Sequence, residues 1–181
     1  MQPKGQDKKT LLAELQKLKA LDPRYEDGRI LCSMCTKPHS IAQKAYRMFL
    51  DSNLGDSGLF RGSAQIEKNL LTQLTNLLNG KDATGLLVSG GTEANLVALL
   101  AARNKAKVDK PELVLPQSAH FSFNKICRLL NIKPVYAGLD SKFRVDTTEV
   151  EKLVNENTVA LVGSAGTAEL GVVDPIRQLS E

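Results

Sequence analysis

The chain of 181 residues has no tryptophan, only 4% aromatic residues, only three cysteines and no long apolar run. Its longest apolar runs, Leu96 to Ala102 and Val159 to Val162, fall far short of the roughly 20 residues that a transmembrane helix needs, so no membrane is expected as a partner. The N-terminus is polar and lysine-rich with no apolar segment behind it, which does not fit a secretory signal. Cys32, Cys35 and Cys127 are few and odd in number, so a disulfide framework is not expected and a reducing, cytoplasmic setting is. The net charge of +4 is mild. Lysines and arginines are scattered among acids without interleaved aromatics, so nucleic acid is not an expected partner either. No internal repeat or low-complexity stretch interrupts the chain.

What is present is a 42% hydrophobic chain, long enough to enclose one substantial core. Leu11, Leu12, Leu15 and Leu18 recur at helical spacing over 9–20, and Asp22-Pro23 ends that pattern. A second helical pattern covers 41–52. A third covers 63–79, where Ile66, Leu70, Leu71, Leu74, Leu77 and Leu78 recur at three and four residues before Gly80. Beyond it, strand candidates at 85–88, 113–115, 134–137 and 158–163 alternate with helical patterns at 92–107, 118–131 and 147–155. That alternation predicts an α/β layout with a largely parallel sheet covered by helices. Asp174 is expected as a helix N-cap with Pro175 as first helical residue. A chain that stops one turn into a helix is expected to be a truncation, a split gene or a fragment.

Two strand-to-helix junctions carry chemistry. Leu86-Leu87-Val88 reads as a buried strand and Thr92 onward as a helix, so Ser89-Gly90-Gly91-Thr92 is the turn between them. Backbone N–H groups at a helix N-terminus favour an anion, and two glycines let it approach the backbone with no Cβ in the way. Ser89 and Thr92 add hydroxyl donors, so phosphate is the natural guest. A plain tight turn capped by Thr92 explains a lone Gly-Gly equally well. The pattern matches neither nucleotide-binding glycine motif. At the second junction, His120 lies just past the strand Leu113-Val114-Leu115, where open α/β sheets bind ligands. A satisfied, partly buried histidine is the plainer explanation for that residue alone.

Other constellations are weaker. Cys32 and Cys35, with His39 close behind, have C-x-x-C spacing but no second pair and no redox frame, so no metal is expected. Arg61 in its glycine-flanked loop could grip a carboxylate, although a solvated cation explains it better. His120 and Ser122 are expected to point apart at a helix start, which leaves no nucleophilic triad. Lys125, one turn along that helix, fits a solvated face.

Taken in order, Ser89-Gly90-Gly91-Thr92-Glu93-Ala94-Asn95, Ser118-Ala119-His120-Phe121-Ser122 and Gly166-Thr167, with Gly171 and Asp174 following, resemble the group II amino-acid decarboxylases that depend on pyridoxal 5'-phosphate (PLP). The archaeal tyrosine/aspartate decarboxylase branch also shows stretches like Ser33-Met34-Cys35-Thr36 and Asn53 to Phe60. The likeness runs from about Leu21 to the last residue.

The resemblance implies an incomplete PLP-dependent transferase fold type I, an aspartate-aminotransferase-like large domain with an N-terminal helical segment. Residues 1–62 would be that segment, contributing to a homodimer and the active-site mouth, and 63–181 part of the PLP-binding domain. It implies that Gly90, Gly91 and Thr92 bind the cofactor phosphate, that His120 stacks on the pyridine ring, and that Thr167 lies near the phenolic oxygen. Ser33, Thr36 and His39 become candidates for touching the substrate, an L-amino acid such as tyrosine, aspartate or glutamate, which would lose carbon dioxide to give the amine. Ala168, Ser63 and Ser57 depart from the family pattern. The family's Schiff-base lysine and the aspartate facing its pyridine nitrogen are expected after Glu181, so this chain alone is expected to be inactive. The alternative is a non-catalytic remnant or partner subunit that binds a phosphate compound or a full-length chain.

An unfinished sheet leaves an apolar edge and face uncovered. The purified chain is therefore expected to self-associate in sedimentation velocity. A monodisperse monomer with a cooperative melt would contradict this.

Overall fold

A computed structural model of the chain describes residues 5–30, 36–80 and 83–181. They form two compact units, Met1–Leu50 and Asp51–Glu181. The division falls before the position 62/63 expected from sequence because the intervening turn runs directly into the next helix. There Asp56 O accepts from Leu59 N and Phe60 N, and Phe60 O accepts from Ala64 N.

The first unit holds α1 (Lys8–Lys19), a short 3-10 turn (Tyr25–Asp27) and α2 (Ser40–Met48). Asp7 caps α1 by accepting from Lys9 N and Thr10 N, which satisfies two of the amides that a helix start leaves open. The α2 helix stops at Met48, four residues short of the expected end, because Phe49 leaves the helical conformation at φ −113°. No side chain of α1 or α2 is buried.

The second unit runs α3 (Arg61–Leu77), α4 (Gly91–Ala106), β1 (Glu112–Pro116), α5 (Ser122–Leu130), β2 (Lys133–Ala137), α6 (Thr147–Leu153), β3 (Thr158–Leu161) and α7 (Ile176–Ser180). The three strands form a parallel sheet in the order β2-β1-β3. Val162 N also donates to Val114 O, which carries the β1–β3 pairing one residue past β3.

Alternation along β1 builds the core, because successive side chains of a strand face opposite sides. Leu113 and Leu115 pack with Leu99 of α4 and with Ile126, Cys127 and Ile132 in and after α5. Val114 points the other way, onto Ala137, Val145 and Val150, with Leu153 and Leu179 against them. Each of these buried aliphatic side chains contributes about 1.5–3 kcal/mol. Burial pushes the Cys127 thiol above its ordinary range, so it behaves as a small hydrophobe.

Two sequence expectations are corrected. Residues 85–88 are not a buried strand: they join no ladder, and Leu86 is 70% exposed. A strand exists only through its neighbours, and 85–88 pairs with neither of the outer strands β2 and β3. Asp174 is not the N-cap of α7, which is Pro175. Instead the carboxylate is buried, and it accepts from Val145 N through Oδ1 and from Ser164 N through Oδ2, both at 2.8 Å. Asp174 N in turn donates to Ser164 O at 2.9 Å. Charge-assisted bonds to backbone amides are among the stronger ones, and these two tie the segment before α6 to the loop after β3. Next to them, Gly163 lets α7 close in, since a Cβ there would lie 2.7 Å from Ile176 Cδ1 and 2.8 Å from Leu179 Cδ1.

Apolar surface remains along α3, where no side chain is buried and Ile66, Leu70, Leu74 and Leu77 are exposed. Among the described residues, no helix is long and apolar enough to cross a membrane.

Replacing Asp174 with alanine leaves two buried N–H groups without an acceptor and is expected to cost roughly 2–4 kcal/mol, read as a lower urea midpoint. Asp174→Asn, which keeps one acceptor oxygen, is expected to fall between alanine and the parent. Unchanged midpoints for both would show that the clasp does not hold these loops.

Candidate functional site

Parallel strands end at a common edge, so the segments after β1 and β3 emerge side by side. The chain leaves β1 toward β2 on one side and later returns to place β3 on the other. Such a reversal, at the carboxyl ends of the strands, is the usual ligand position in open α/β sheets. His120 follows β1 and Thr167 follows β3.

The α4 helix begins with Gly90 as its N-cap, which makes no side-chain capping bond. Ala94 N donates to Gly90 O at 3.0 Å, while the N–H groups of Gly91, Thr92 and Glu93 find no acceptor among the described residues. A Cβ built on Gly90 or Gly91 would meet nothing within 4 Å, so both glycines border open space. Three free amides at the positive end of a helix dipole, with the Thr92 hydroxyl beside them, form a donor set that fits a phosphate.

Ser89 is not part of that set, contrary to the sequence expectation. Its N–H and its hydroxyl both donate to Glu93 Oε2, at 2.8 and 2.6 Å. These two bonds, the hydroxyl's first, hold the Glu93 carboxyl below its ordinary range. The reach-back is a capping box displaced by one residue, because glycine rather than serine occupies the cap.

Geometry also corrects the reading of His120 and Ser122. Their side chains meet, with His120 Nδ1 2.9 Å from Ser122 Oγ, and Ser122 N donates to the same nitrogen at 3.2 Å. The cause is that α5 starts only at Ser122, four residues later than the helical pattern, so His120 stands outside the helix and folds back over its first turn. Ser122 is buried, and its Oγ accepts from Asn95 Nδ2 of α4 at 3.2 Å. The imidazole itself is largely exposed and leans on Phe121, with ring centroids 4.2 Å apart.

Thr167 is buried in a tight turn with Gly166 and Gly171 at positive φ. Its Oγ1 accepts from Val172 N at 3.2 Å, and its N–H donates to Val172 O. The hydroxyl proton therefore remains available to a further acceptor. In the segment after β1, Ser118 Oγ is buried with no hydrogen-bond partner among the described residues.

The remaining candidates belong elsewhere in the chain. Ser33 lies outside the described residues, as do Cys32 and Cys35. Thr36 and His39 belong to the first unit, where both are exposed and His39 Nδ1 caps α2 by accepting from Ile41 N at 3.2 Å. Arg61 starts α3 and donates through Nε to Gly58 O. Lys125 is exposed on α5. Among the described residues no three His, Cys, Asp or Glu side chains gather as metal ligands. Sequence reasoning missed Asn95, Ser122, Glu93 and the clasp by Asp174. Only Glu93 had a legible signal, its spacing from Ser89.

Known proteins resemble this arrangement in sequence and in fold. The family model described as Aminotransferase class-V matches residues 37–181. A protein of Methanothermobacter thermautotrophicus named "Probable L-tyrosine/L-aspartate decarboxylase" is 53% identical over 87% of this chain and 43% of its own length. The L-aspartate decarboxylase of Thermococcus kodakarensis is 46% identical over 98% of this chain and 46% of its own length. Among solved structures, the sphingosine-1-phosphate lyase of Burkholderia pseudomallei superposes with a TM-score of 0.84 at 29% identity, covering 99% of this chain and 45% of that one. The chain thus spans less than half the length of the relatives it matches. These likenesses support pyridoxal phosphate as the cofactor and the parallel α/β unit as part of fold type I. With its family match extending over most of its length, the chain belongs to the class-V aminotransferase family and, within it, is similar to the PLP-dependent group II amino-acid decarboxylases.

Proposed function

We propose that this chain carries the cofactor-holding part of a PLP-dependent L-amino-acid decarboxylase. One observation carries the reading: the open amides of Gly91, Thr92 and Glu93 head the same helix whose Asn95 is hydrogen-bonded, through Ser122, to His120. An anion site and a flat, exposed imidazole are thereby held on one frame.

In this reading the open amides of Gly91, Thr92 and Glu93, bordered by Gly90, and the Thr92 hydroxyl would hold the phosphate, His120 would lie on the pyridine ring, and Thr167 would donate its free hydroxyl proton to the phenolic oxygen. When bound, PLP supplies an electron-accepting ring as an α-carboxylate leaves as carbon dioxide. Ser33, Thr36 and His39 would contribute to the mouth through which an L-amino acid enters. Aspartate and tyrosine are the favoured substrates, as in the names of the relatives, with glutamate a third. The intact enzyme is a cytoplasmic homodimer in this reading. In this reading the present chain alone does not turn over, since Lys125, the lysine nearest the site in sequence, is exposed on α5.

A second reading, a non-catalytic subunit that completes another chain, draws support from the exposed stripe Ile66, Leu70, Leu74 and Leu77 on α3, an apolar surface of the kind that marks interaction sites.

The test is titration of the chain with PLP, followed by absorbance. Saturable binding that inorganic phosphate displaces is expected, and Gly91→Val and Thr92→Ala should each weaken it about tenfold, the factor of one charge-assisted hydrogen bond. Affinity unchanged in both variants would overturn the cradle. Borohydride reduction is expected to leave no lysine covalently labelled. A clean single-lysine adduct, or carbon dioxide release from L-aspartate by this chain alone, would overturn the claim of inactivity.

A further inference from the structure

The contacts of His120 have directions that can be worked out one by one. Ser122 N can only donate, so the lone pair of His120 Nδ1 receives it, and Nδ1 carries no proton. With no hydrogen on Nδ1, Ser122 Oγ, 2.9 Å away, can bond it only by donating its hydroxyl hydrogen, so the single lone pair of Nδ1 is shared by the two donors of Ser122. That leaves the oxygen's lone pairs to accept the amide hydrogen of Asn95 Nδ2 at 3.2 Å. The three groups form a one-way relay, Asn95 to Ser122 to His120. Its middle member is buried at 1% exposure, where water cannot compete for the hydroxyl and where a misdirected hydrogen would be left unpaired.

We propose that Asn95 and Ser122 are positioning residues that lock His120 as the neutral imidazole protonated on Nε2, with the ring plane fixed against the start of α5. Asn95 lies on α4 only four residues beyond Gly91, so the helix that presents the open amides also sets the tautomer of the imidazole. The inference rests on the proposed cofactor site for its purpose: a ring that stacks on another must hold one orientation and present one edge. Asn95 itself touches neither cofactor nor substrate in this assignment and acts only through Ser122.

The chain provides its own reference. His39 Nδ1 also accepts a backbone N–H, from Ile41 at 3.2 Å, but among the described residues no hydroxyl relay supports it. These are the two histidines of the sequence, so a His39→Gln variant assigns both. Long-range 1H–15N correlation spectra of the labelled full chain, recorded at about pH 8 where ordinary histidines are neutral, give the tautomer ratio of each ring. The Nε2–H excess at His120 is expected to exceed that at His39 by about tenfold, the factor one net hydrogen bond supplies. Ser122→Ala should bring His120 down to the ratio of His39. The isosteric Asn95→Asp, whose carboxylate accepts the Ser122 hydrogen and turns it away from the ring, should lower the ratio at least as far while the thermal melt stays that of the parent. Equal ratios at the two histidines of the parent chain, or a His120 ratio unmoved by both variants in folded protein, would overturn the lock. PLP affinity measured on the same samples separates the two ideas: binding with no tautomer bias refutes only the lock, and a tautomer bias without binding refutes only the cofactor reading.

Discussion

The five residues of β1, Glu112–Pro116, pair with β2 along one edge, and Glu112–Val114 pair with β3 along the other, and the remaining features of the second unit are placed relative to them. A parallel strand cannot be formed locally, because its partners arrive only after a helix has crossed back over the sheet. Once β2 and β3 flank β1, α5 and α4 are forced onto the Leu113/Leu115 face and α6 onto the Val114 face. The chain segments leaving β1 and β3 then share one edge. His120 and Thr167, more than forty residues apart in sequence, come to that edge for no reason of their own.

Electrostatics then decide which atoms at this edge can act. The first turn of α4 offers its open amides at the positive end of the helix dipole, and Glu93 already answers part of that field by taking both donors of Ser89. What is left open is a narrower set than the motif suggests, the amides of Gly91, Thr92 and Glu93 and the Thr92 hydroxyl. Asp174 does the opposite work: its buried carboxylate is fully used by Val145 N and Ser164 N, so a charge that looked like a surface cap fixes the loop leading to Thr167. One acid trims the anion site, and the other holds its surroundings still.

The parallel α/β layout, the helical stretches and the glycine pair as the start of a helix were all legible from periodicity and turn chemistry. They depend on short-range preferences: apolar spacing at 3.6 or 2 residues, and open amides wherever a helix begins. The likeness to group II decarboxylases was legible too, from several short motifs in order. Residues 85–88 show where such reading stops. Their composition suits a buried strand, but pairing depends on a neighbour, and among the described residues none is offered.

By itself the sequence determined which segments are helices and which apolar runs can be strands, because each of these depends on residues within a few positions of one another. Only the tertiary structure decided that Ser89 is spent on Glu93, that Asp174 is a buried clasp instead of a cap, and that Asn95, Ser122 and His120 form a directed chain. The physical reason is that a hydrogen bond belongs to a pair of atoms. Which partner a polar side chain finds is settled by the packing that brings distant segments within 3 Å, and no local pattern encodes it.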